Sequence, residues 1–352
     1  MGTLAINLCE NGWIPDFLAR FAMRRLMAQR LAEESVDRGE QEFIRFRKYL
    51  DELRRSRIAL ETDAANEQHY ELPADFFARV LGENLKYSCC WWDDRHTGSL
   101  ADGLDRAEEQ MLDITCERAD LADGQRILEL GCGWGSLTLW MARKYPAANI
   151  TAVSNSHSQR KFIMRRCADA GVSNVEVITA DANEFATEQQ FDRVVSVEMF
   201  EHMRNYGALM ERIAGWLVPG GKLFVHIFCH RQLMYPFTTE GEYDWMGKYF
   251  FTGGTMPAES TLLYFQDHLT IEEQWRVSGR HYEKTSNAWL EKTDQRRDEI
   301  ITVLTEAYGA DQAEVWLQRW RMFFMAVAEL FGYKGGTEWM VGHYRFTRPA
   351  GE

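Results

Sequence analysis

The hydrophobic pattern of this chain changes period near residue 126. From Ile14 to about Leu60 the apolar residues Phe17, Phe21, Leu26, Phe43, Phe46 and Leu50 recur at helical spacing among many arginines and glutamates, which predicts amphipathic helices. From Arg126 onward short β-type runs alternate with helical segments, the pattern of a parallel sheet with crossover helices. Strands are expected at Arg126–Leu130, Ile150–Ser154, Val175–Thr179, Arg193–Val197 and Lys222–Phe228, and Pro219-Gly220-Gly221 is expected to break the chain before the fifth. A loop-rich insertion then runs to about Asp267. A strand around Glu273–Ser278, two helices between Ser286 and Phe331, and a closing strand at Trp339–Thr347 complete the reading. The expected division is 1–120 as helical region and lid, 121–235 as α/β core, and 236–352 as cap insertion with closing strands.

Composition narrows the function classes. At 352 residues the chain exceeds the usual single domain. A formal charge of −13 opposes a dedicated nucleic-acid binder, which needs a positive surface to displace counterions. The N-terminal stripe could lie on a lipid surface, with Arg24, Arg25 and Arg30 beside it, but Glu33, Glu34 and Glu40 soon cancel that basic face. Packing against the main domain is the preferred expectation. Seven scattered cysteines, none in a Cys-x-x-Cys pair, point to a reducing cytoplasm. No apolar run approaches a membrane span, and Met1-Gly2 lacks the Ser or Thr that myristoylation wants, since Ile6 stands there. Oligomeric state stays open, a homodimer included.

The strongest local signal is the run Ile127 to Gly135, in which Glu129, Gly131, Gly133 and Gly135 alternate at the end of a β run and the start of a helix. Glycine permits the tight turn and a close approach of backbone to ligand, and the following helix offers free N–H groups to a carboxylate. Ser136 stands where a dinucleotide fingerprint has its third glycine. The second strand ends in Ser154-Asn155 without the acid that usually holds a nicotinamide ribose. A nicotinamide cofactor is therefore the second choice, behind S-adenosylmethionine in a Rossmann-like class I methyltransferase sheet. Ser154, Asn155 and Gln159 are the candidates for the ribose, Asp181 with Ala182 for the adenine edge, and Tyr87 and Ser88 for polar contacts to the ligand.

The fourth strand leads straight into Glu198, Glu201 and His202 at the carboxyl end of the sheet, where open α/β sites lie. Methyl transfer is an in-line attack on a sulfonium, so the enzyme aligns a nucleophile and, when that nucleophile carries a proton, removes it. A histidine beside carboxylates suits an amine. The bland reading is a helix-start carboxylate pair with a satisfied histidine. His226, Cys229 and His230 imitate a metal site, but neighbouring strand residues point opposite ways, and no metal is expected. The aromatic residues Trp91, Trp92, Tyr243, Trp245, Tyr249, Phe250, Phe251 and Tyr264 could form a cage for a cationic or apolar substrate or be ordinary core.

Together these residues resemble the cyclopropane-fatty-acyl-phospholipid synthase superfamily of methyltransferases. The shared pieces are His69–Pro73, Tyr87–Cys89, Leu130–Ser136, Ala152–Ser156 with Gln159, and Met199–His202. Asn205-Tyr206, Phe228–His230, Tyr249–Pro257, Tyr264–Asp267, Ala328–Gly332 and Glu338–Met340 are similar to its coclaurine N-methyltransferase-like branch. That branch implies that Glu198, Glu201 and His202 lie at the substrate amine. The cyclopropane synthases imply a bicarbonate near a Cys, a Glu, a His and a Tyr; Cys89, Glu201 and His226 match three, while Phe323 falls at or near the tyrosine place. The implied substrate pocket takes in Cys89, His226, Phe228, Tyr249 and Phe323. The expected function is N-methylation of a small, aromatic or alkaloid-like amine. Methyl or methylene transfer to an unsaturated acyl chain, and a non-catalytic S-adenosylmethionine-binding module, are the alternatives.

Overall fold

A computed structural model describes residues 3–34, 39–60, 72–241 and 244–351. His69 and Tyr70 of the resemblance motif, and Tyr243 of the aromatic set, lie outside the described residues. Among the described residues the chain begins with the helices α1 (Thr3–Glu10), α2 (Asp16–Glu34), α3 (Glu40–Arg55) and α4 (Ala74–Val80). α5 (Leu100–Arg118) then leads into β1 (Arg126–Leu130).

β1 continues into α6 (Ser136–Lys144), β2 (Asn149–Ser154), α7 (His157–Asp169), β3 (Val175–Thr179) and β4 (Phe191–Val197), and α8 (Tyr206–Trp216) leads to β5 (Leu217–His230). β1 to β5 pair in parallel in the order β3-β2-β1-β4-β5. Two short strands, β6 (Tyr235–Pro236) and β7 (Thr255–Met256), form a separate ribbon flanking α9 (Trp245–Tyr249). β8 (Thr270–Val277) and β9 (Trp339–Thr347) close the seven-stranded sheet, with β9 antiparallel between β5 and β8. Both faces of the sheet are covered, so its inner strands read as apolar runs. Alternation sorts the side chains: Ile127, Val195 and Phe224 face α5 and α6, whereas Leu128, Val194 and Leu223 face α3 and α8.

The cap consists of α10 (Gly279–Gln295), α11 (Arg297–Tyr308) and α12 (Ala310–Gly332). The sequence pattern led to two helices from Ser286; the structure has three beginning at Gly279, divided at Arg296 and at Gly309, whose φ of 85° breaks the helical path. Pro219-Gly220-Gly221 does not precede β5 but lies within it. Gly220 and Gly221 exchange backbone hydrogen bonds of 3.0 and 2.8 Å with Arg348, and the β4 register shifts between Phe191 and Arg193 to absorb the extra chain.

Helices α1 and α2 pack on the cap and α3 packs beside α8, where Leu50 of the stripe read from the sequence is buried, although the phenylalanines of that stripe on α2 are not. Phe17, Phe21 and Phe43 are exposed, while Ala19 and Met27 are buried. Ion pairs fix this orientation, because Arg20 and Arg24 both reach Glu329 on α12 and Arg321 reaches back to Asp16. The buried carboxylate of Glu10 accepts from Trp245 Nε1 at 2.8 Å and from two nitrogens of Arg319 at 3.1 and 3.2 Å, clamping α1 to α9 and α12. Among the described residues no helix is long and apolar enough to cross a membrane.

Candidate active site

The chain runs β1, β2, β3 in one direction across the sheet and resumes with β4 on the other side of β1. The carboxyl ends of β1 and β4 therefore splay their loops apart and leave a cleft. The glycine turn forms its floor. The N–H groups of Gly131 and Cys132 both donate to Val153 O at 3.0 Å, and Gly131 has φ 79°. A Cβ on Gly131 would stand 2.8 Å from Met199 Cγ. Gly131 and Gly133 face the cleft, together with Ser154, Asn155 and Gln159 from the β2 end and Asp181 and Ala182 from the β3 end. Gly135, left-handed at φ 78°, instead starts α6 tightly against Ile163.

Several polar atoms of this cleft have no hydrogen-bond partner among the described residues. They are Gln159 Nε2, Ser136 Oγ and Thr115 Oγ1. Glu129 is buried beside them, and its carboxyl accepts from Thr138 Oγ1 at 2.5 Å. Burial raises its pKa to about 8. Tyr87 and Ser88 line the same side, held there because the buried Glu108 carboxyl accepts backbone N–H groups from Gly82, Asn84 and Lys86.

Glu198 is the centre of the second half. Its backbone is left-handed at φ 46°, unusual for a residue with a side chain, and its N–H donates to His226 O at 2.8 Å. Three donors converge on the carboxylate: Cys89 N–H at 2.9 Å, Tyr282 O–H at 2.6 Å and His226 Nε2 at 3.1 Å. Glu201 is buried close by, and its Oε2 has no partner among the described residues. Burial, then the neighbouring Glu198, push the Glu201 carboxyl well above the usual range. Burial also raises Glu198, opposed by the Lys86 ammonium and by its hydrogen bonds with Cys89 and Tyr282. The carboxyl richer in donors keeps the charge, so Glu198 is the anion and Glu201 the neutral acid. His202 lines the cleft with its ring stacked on Phe251, centroids 6.0 Å apart and planes at 14°.

A larger apolar cavity of about 570 Å³ adjoins this cleft and shares Phe251, Tyr282 and Phe323 with it. Its outer wall is the inner face of α1 and α2, including Ile6, Met23 and Met27, and Phe228, Trp245 and Phe331 lie opposite. Of the pocket residues expected from the sequence, Phe228 and Phe323 are on this wall. Tyr249 is not: its ring lies against Arg319, 4.6 Å from centroid to guanidinium, and near Trp316. Cys89 contributes its backbone N–H, because its thiol points to Cys90 O at 3.4 Å. Burial and Glu198 hold that thiol well above its ordinary pKa, so it is no nucleophile. His226 stands behind Glu198 rather than at the cavity wall. His230 turns to the backbone N–H groups of Gln232 and Leu233 and to Glu338, so it does not converge with His226. The aromatic set does not form one cage. Trp245 and Phe251 line the cavity, Phe250 stacks on Phe323, Trp91 stacks on His281 and Tyr264 meets Phe46 edge to face.

Lys86 and Tyr282 are site residues that sequence reasoning missed. Tyr282 is 84 positions from Glu198 in the chain and reaches it only because α10 folds back over the cleft; no local motif marks it. Its ring shares the cavity lining with Phe323. Lys86, immediately before Tyr87-Ser88, was legible as a charge next to a predicted ligand segment, and its buried ammonium donates to Cys89 O at 2.8 Å.

With this geometry in place, similarity to known proteins becomes decisive. The sequence pattern of the mycolic acid cyclopropane synthetase family matches residues 59–335. The chain belongs to that family. Within the family it is 37% identical to the (S)-coclaurine N-methyltransferase of Thalictrum flavum subsp. glaucum, over 96% of this chain and 94% of that protein. It is 32% identical to the cyclopropane-fatty-acyl-phospholipid synthase of Escherichia coli (strain K12), over 64% of this chain and 55% of that one. A crystal structure of coclaurine N-methyltransferase bound to N-methylheliamine and SAH superposes with a TM-score of 0.92 at 35% identity, covering 98% of this chain and 99% of that one. A cyclopropane synthase from Mycobacterium tuberculosis shares the fold, with a TM-score of 0.67 at 21% identity over 82% of this chain and 99% of that one. This member of the cyclopropane synthetase family is an S-adenosylmethionine-dependent methyltransferase with a Rossmann-like class I sheet, an N-terminal helical extension and a helical cap.

Proposed function

We propose that this chain N-methylates a lipophilic cyclic amine of the alkaloid type. The observation that carries the reading is the apolar, aromatic-walled cavity of about 570 Å³ that meets the cofactor cleft beside Tyr282, the partner of the Glu198 carboxylate. That volume suits a compact fused-ring molecule, and an amine arriving as an ammonium ion is drawn to Glu198 and to the faces of Phe251 and Phe323. The relatives named as coclaurine N-methyltransferases support the same substrate class.

S-adenosylmethionine, when bound, supplies an electrophilic methyl group on its sulfonium. The free polar atoms of Gln159, Ser136 and Thr115, the buried Glu129 and the open floor at Gly131 and Gly133 suit the methionine end, and Ser154, Asn155, Asp181 and Ala182 suit the ribose and adenine. Tyr87 and Ser88 close that end. In this arrangement 1–120 provide lid and outer wall, 121–235 the cofactor core and 236–352 the cap and closing strands. Glu198 attracts and orients the ammonium, His202 accepts its proton, and the neutral Glu201 fills the space below without competing for charge. Burial behind α2 and α12 excludes water and strengthens each of these electrostatic contacts.

Acyl-chain chemistry fits less well. A bicarbonate of the kind implied for the cyclopropane synthases would lie among Cys89, Glu201, His226 and the place of Phe323, and the Glu198 carboxylate already takes the donors of Cys89 and His226. The test is incubation with methyl-labelled S-adenosylmethionine, offering cyclic secondary and tertiary amines alongside vesicles of unsaturated phospholipid. Labelled N-methyl product from amines is expected; label only in acyl chains would overturn the proposal.

Glu129 supplies a prediction for the cofactor step. With a pKa of about 8 it is mostly protonated at pH 7 in the cofactor-free protein. A cationic amino group placed beside it favours the carboxylate, so binding lowers its pKa through neutrality and releases about one proton at pH 7. The release should fade above about pH 9. Calorimetry in buffers of different ionisation enthalpy measures it, and Glu129→Gln should abolish it. A wild-type protein that binds the cofactor with no net proton exchange at pH 7 would refute this role.

A further inference from the structure

Behind Glu198 a line of hydrogen bonds runs over β5 and β9 to the end of α5. His226 Nε2 lies 3.1 Å from Glu198 Oε1, His226 Nδ1 lies 2.9 Å from His343 Nε2, and His343 Nδ1 lies 2.8 Å from Arg118 Nη1. The register of the strands places the groups in a row. His226 pairs directly with His343 across β5 and β9, and Val197, which precedes Glu198, pairs with His226 across β4 and β5. His226 stands two residues along β5 from Phe224 and shares the face covered by α5, whose last residue is Arg118. Both imidazoles are fully buried, whereas Arg118 is half-buried, with its guanidinium 5.8 Å from the ring of Trp91 and 5.2 Å from that of Trp275.

Donor and acceptor capacity permits one proton arrangement. A guanidinium only donates, so His343 Nδ1 must be the bare acceptor and its proton sits on Nε2. That proton is donated to His226 Nδ1, which must then be bare, and the His226 proton sits on Nε2 and is donated to Glu198. Adding a proton to either ring would set two N–H groups face to face or an N–H against the guanidinium. Burial, Lys86 and Arg118 likewise hold both histidines well below the usual imidazole range.

We infer that Arg118, His343 and His226 act as positioning residues, a one-way hydrogen-bond chain in which Arg118 fixes the tautomer of both imidazoles so that Glu198 always receives a donor and never a competing base. The chain keeps His226 from taking the proton of the incoming amine and helps keep Glu198 ionised. Facing that carboxylate are Lys86, Tyr282, Cys89 and Glu201 in addition to His226. This inference rests on the reading of Glu198 given above, and its first test needs no methyl acceptor.

That test is ¹⁵N NMR of the histidine-labelled protein, with signals assigned through His226→Gln and His343→Gln variants. Both rings should show the Nε2–H tautomer and should not titrate between pH 5.5 and 8.5. A Nδ1–H tautomer at either ring, or an imidazolium above about pH 6, overturns the inference even if every Arg118 variant misfolds. In Arg118→Leu the rings should change tautomer, and, with whichever acceptor is turned over, kcat should fall about tenfold while cofactor KM stays within about twofold. The acid limb of kcat/KM should move up by about one pH unit, because a less supported Glu198 protonates more readily. Arg118→Lys, which keeps a cationic donor, should restore much of both. A leucine variant with wild-type spectra and pH profile overturns the chain. Failure of every amine to react, with the tautomers as stated, overturns the substrate reading alone.

Discussion

Glu198→Gln is expected to lower kcat by about 10²- to 10⁴-fold while cofactor affinity changes by no more than about threefold. The substitution is nearly isosteric, so the cleft keeps its shape. It removes the one charge toward which Cys89 N–H, Tyr282 O–H and His226 Nε2–H all point. A carboxamide accepts only through its oxygen; with that oxygen toward Cys89 and His226 its NH₂ donates to the Tyr282 hydroxyl, whose own proton then loses its acceptor, and the reverse setting puts NH₂ against two N–H donors, at a cost of about 1–3 kcal/mol for each group left unsatisfied. An ammonium acceptor also loses its counter-ion in a buried site, where that attraction is strongest. Steady-state kinetics with the amine found in the screen, together with calorimetric titration of the cofactor, measure both quantities. Turnover within about threefold of wild type would remove Glu198 from the reaction.

Gly131→Val should abolish cofactor binding in the measurable range, weakening it at least about 100-fold. The residue has φ 79°, which costs a side-chain-bearing residue about 1–2 kcal/mol. Its Cβ would lie 2.8 and 2.9 Å from two Met199 atoms. Met199 separates Glu198 from the short helical turn Phe200–His202, so relief of the clash moves the acidic loop as well as the cleft floor. Equilibrium titration with S-adenosylmethionine and thermal melting separate the outcomes. Cofactor affinity near that of wild type in a folded variant would show that the turn is not the cofactor floor.

How much of this was legible in the chain depends on the range of the interaction. The parallel strands at Arg126–Leu130 and Val175–Thr179 were read with their observed bounds: the first sits inside the sheet, covered on both faces, and reads as a nearly apolar run, and the second, at the sheet edge, shows its β-branched residues Val175, Val177, Ile178 and Thr179. The glycine turn was legible for the same local reason: positive φ and a close approach leave glycine as the residue that fits. Glu198, Glu201 and His202 were legible as a group, since a loop at the carboxyl end of β4 has one place to go. Their division of labour was not. Which carboxyl keeps its charge depends on donors from Cys89, Tyr282 and His226, which lie at sequence separations of 109, 84 and 28.

Errors of face and partner have the same origin. Phe17 and Phe21 share helical spacing with buried residues but look outward, because ion pairs between α2 and α12 rotate the helix to bury Ala19 and Met27 instead. Tyr249 belongs to a motif segment, yet α9 turns it to Arg319. The sequence by itself determined the sheet class, the glycine turn and the acidic loop, since these follow from period, backbone freedom and chain direction over a few residues. Tertiary structure alone decided which carboxyl gathers the donors, where the apolar cavity lies and that Arg118 and His343 connect to Glu198, because hydrogen-bond donors, burial and charge combine there across strands and helices that no local pattern connects.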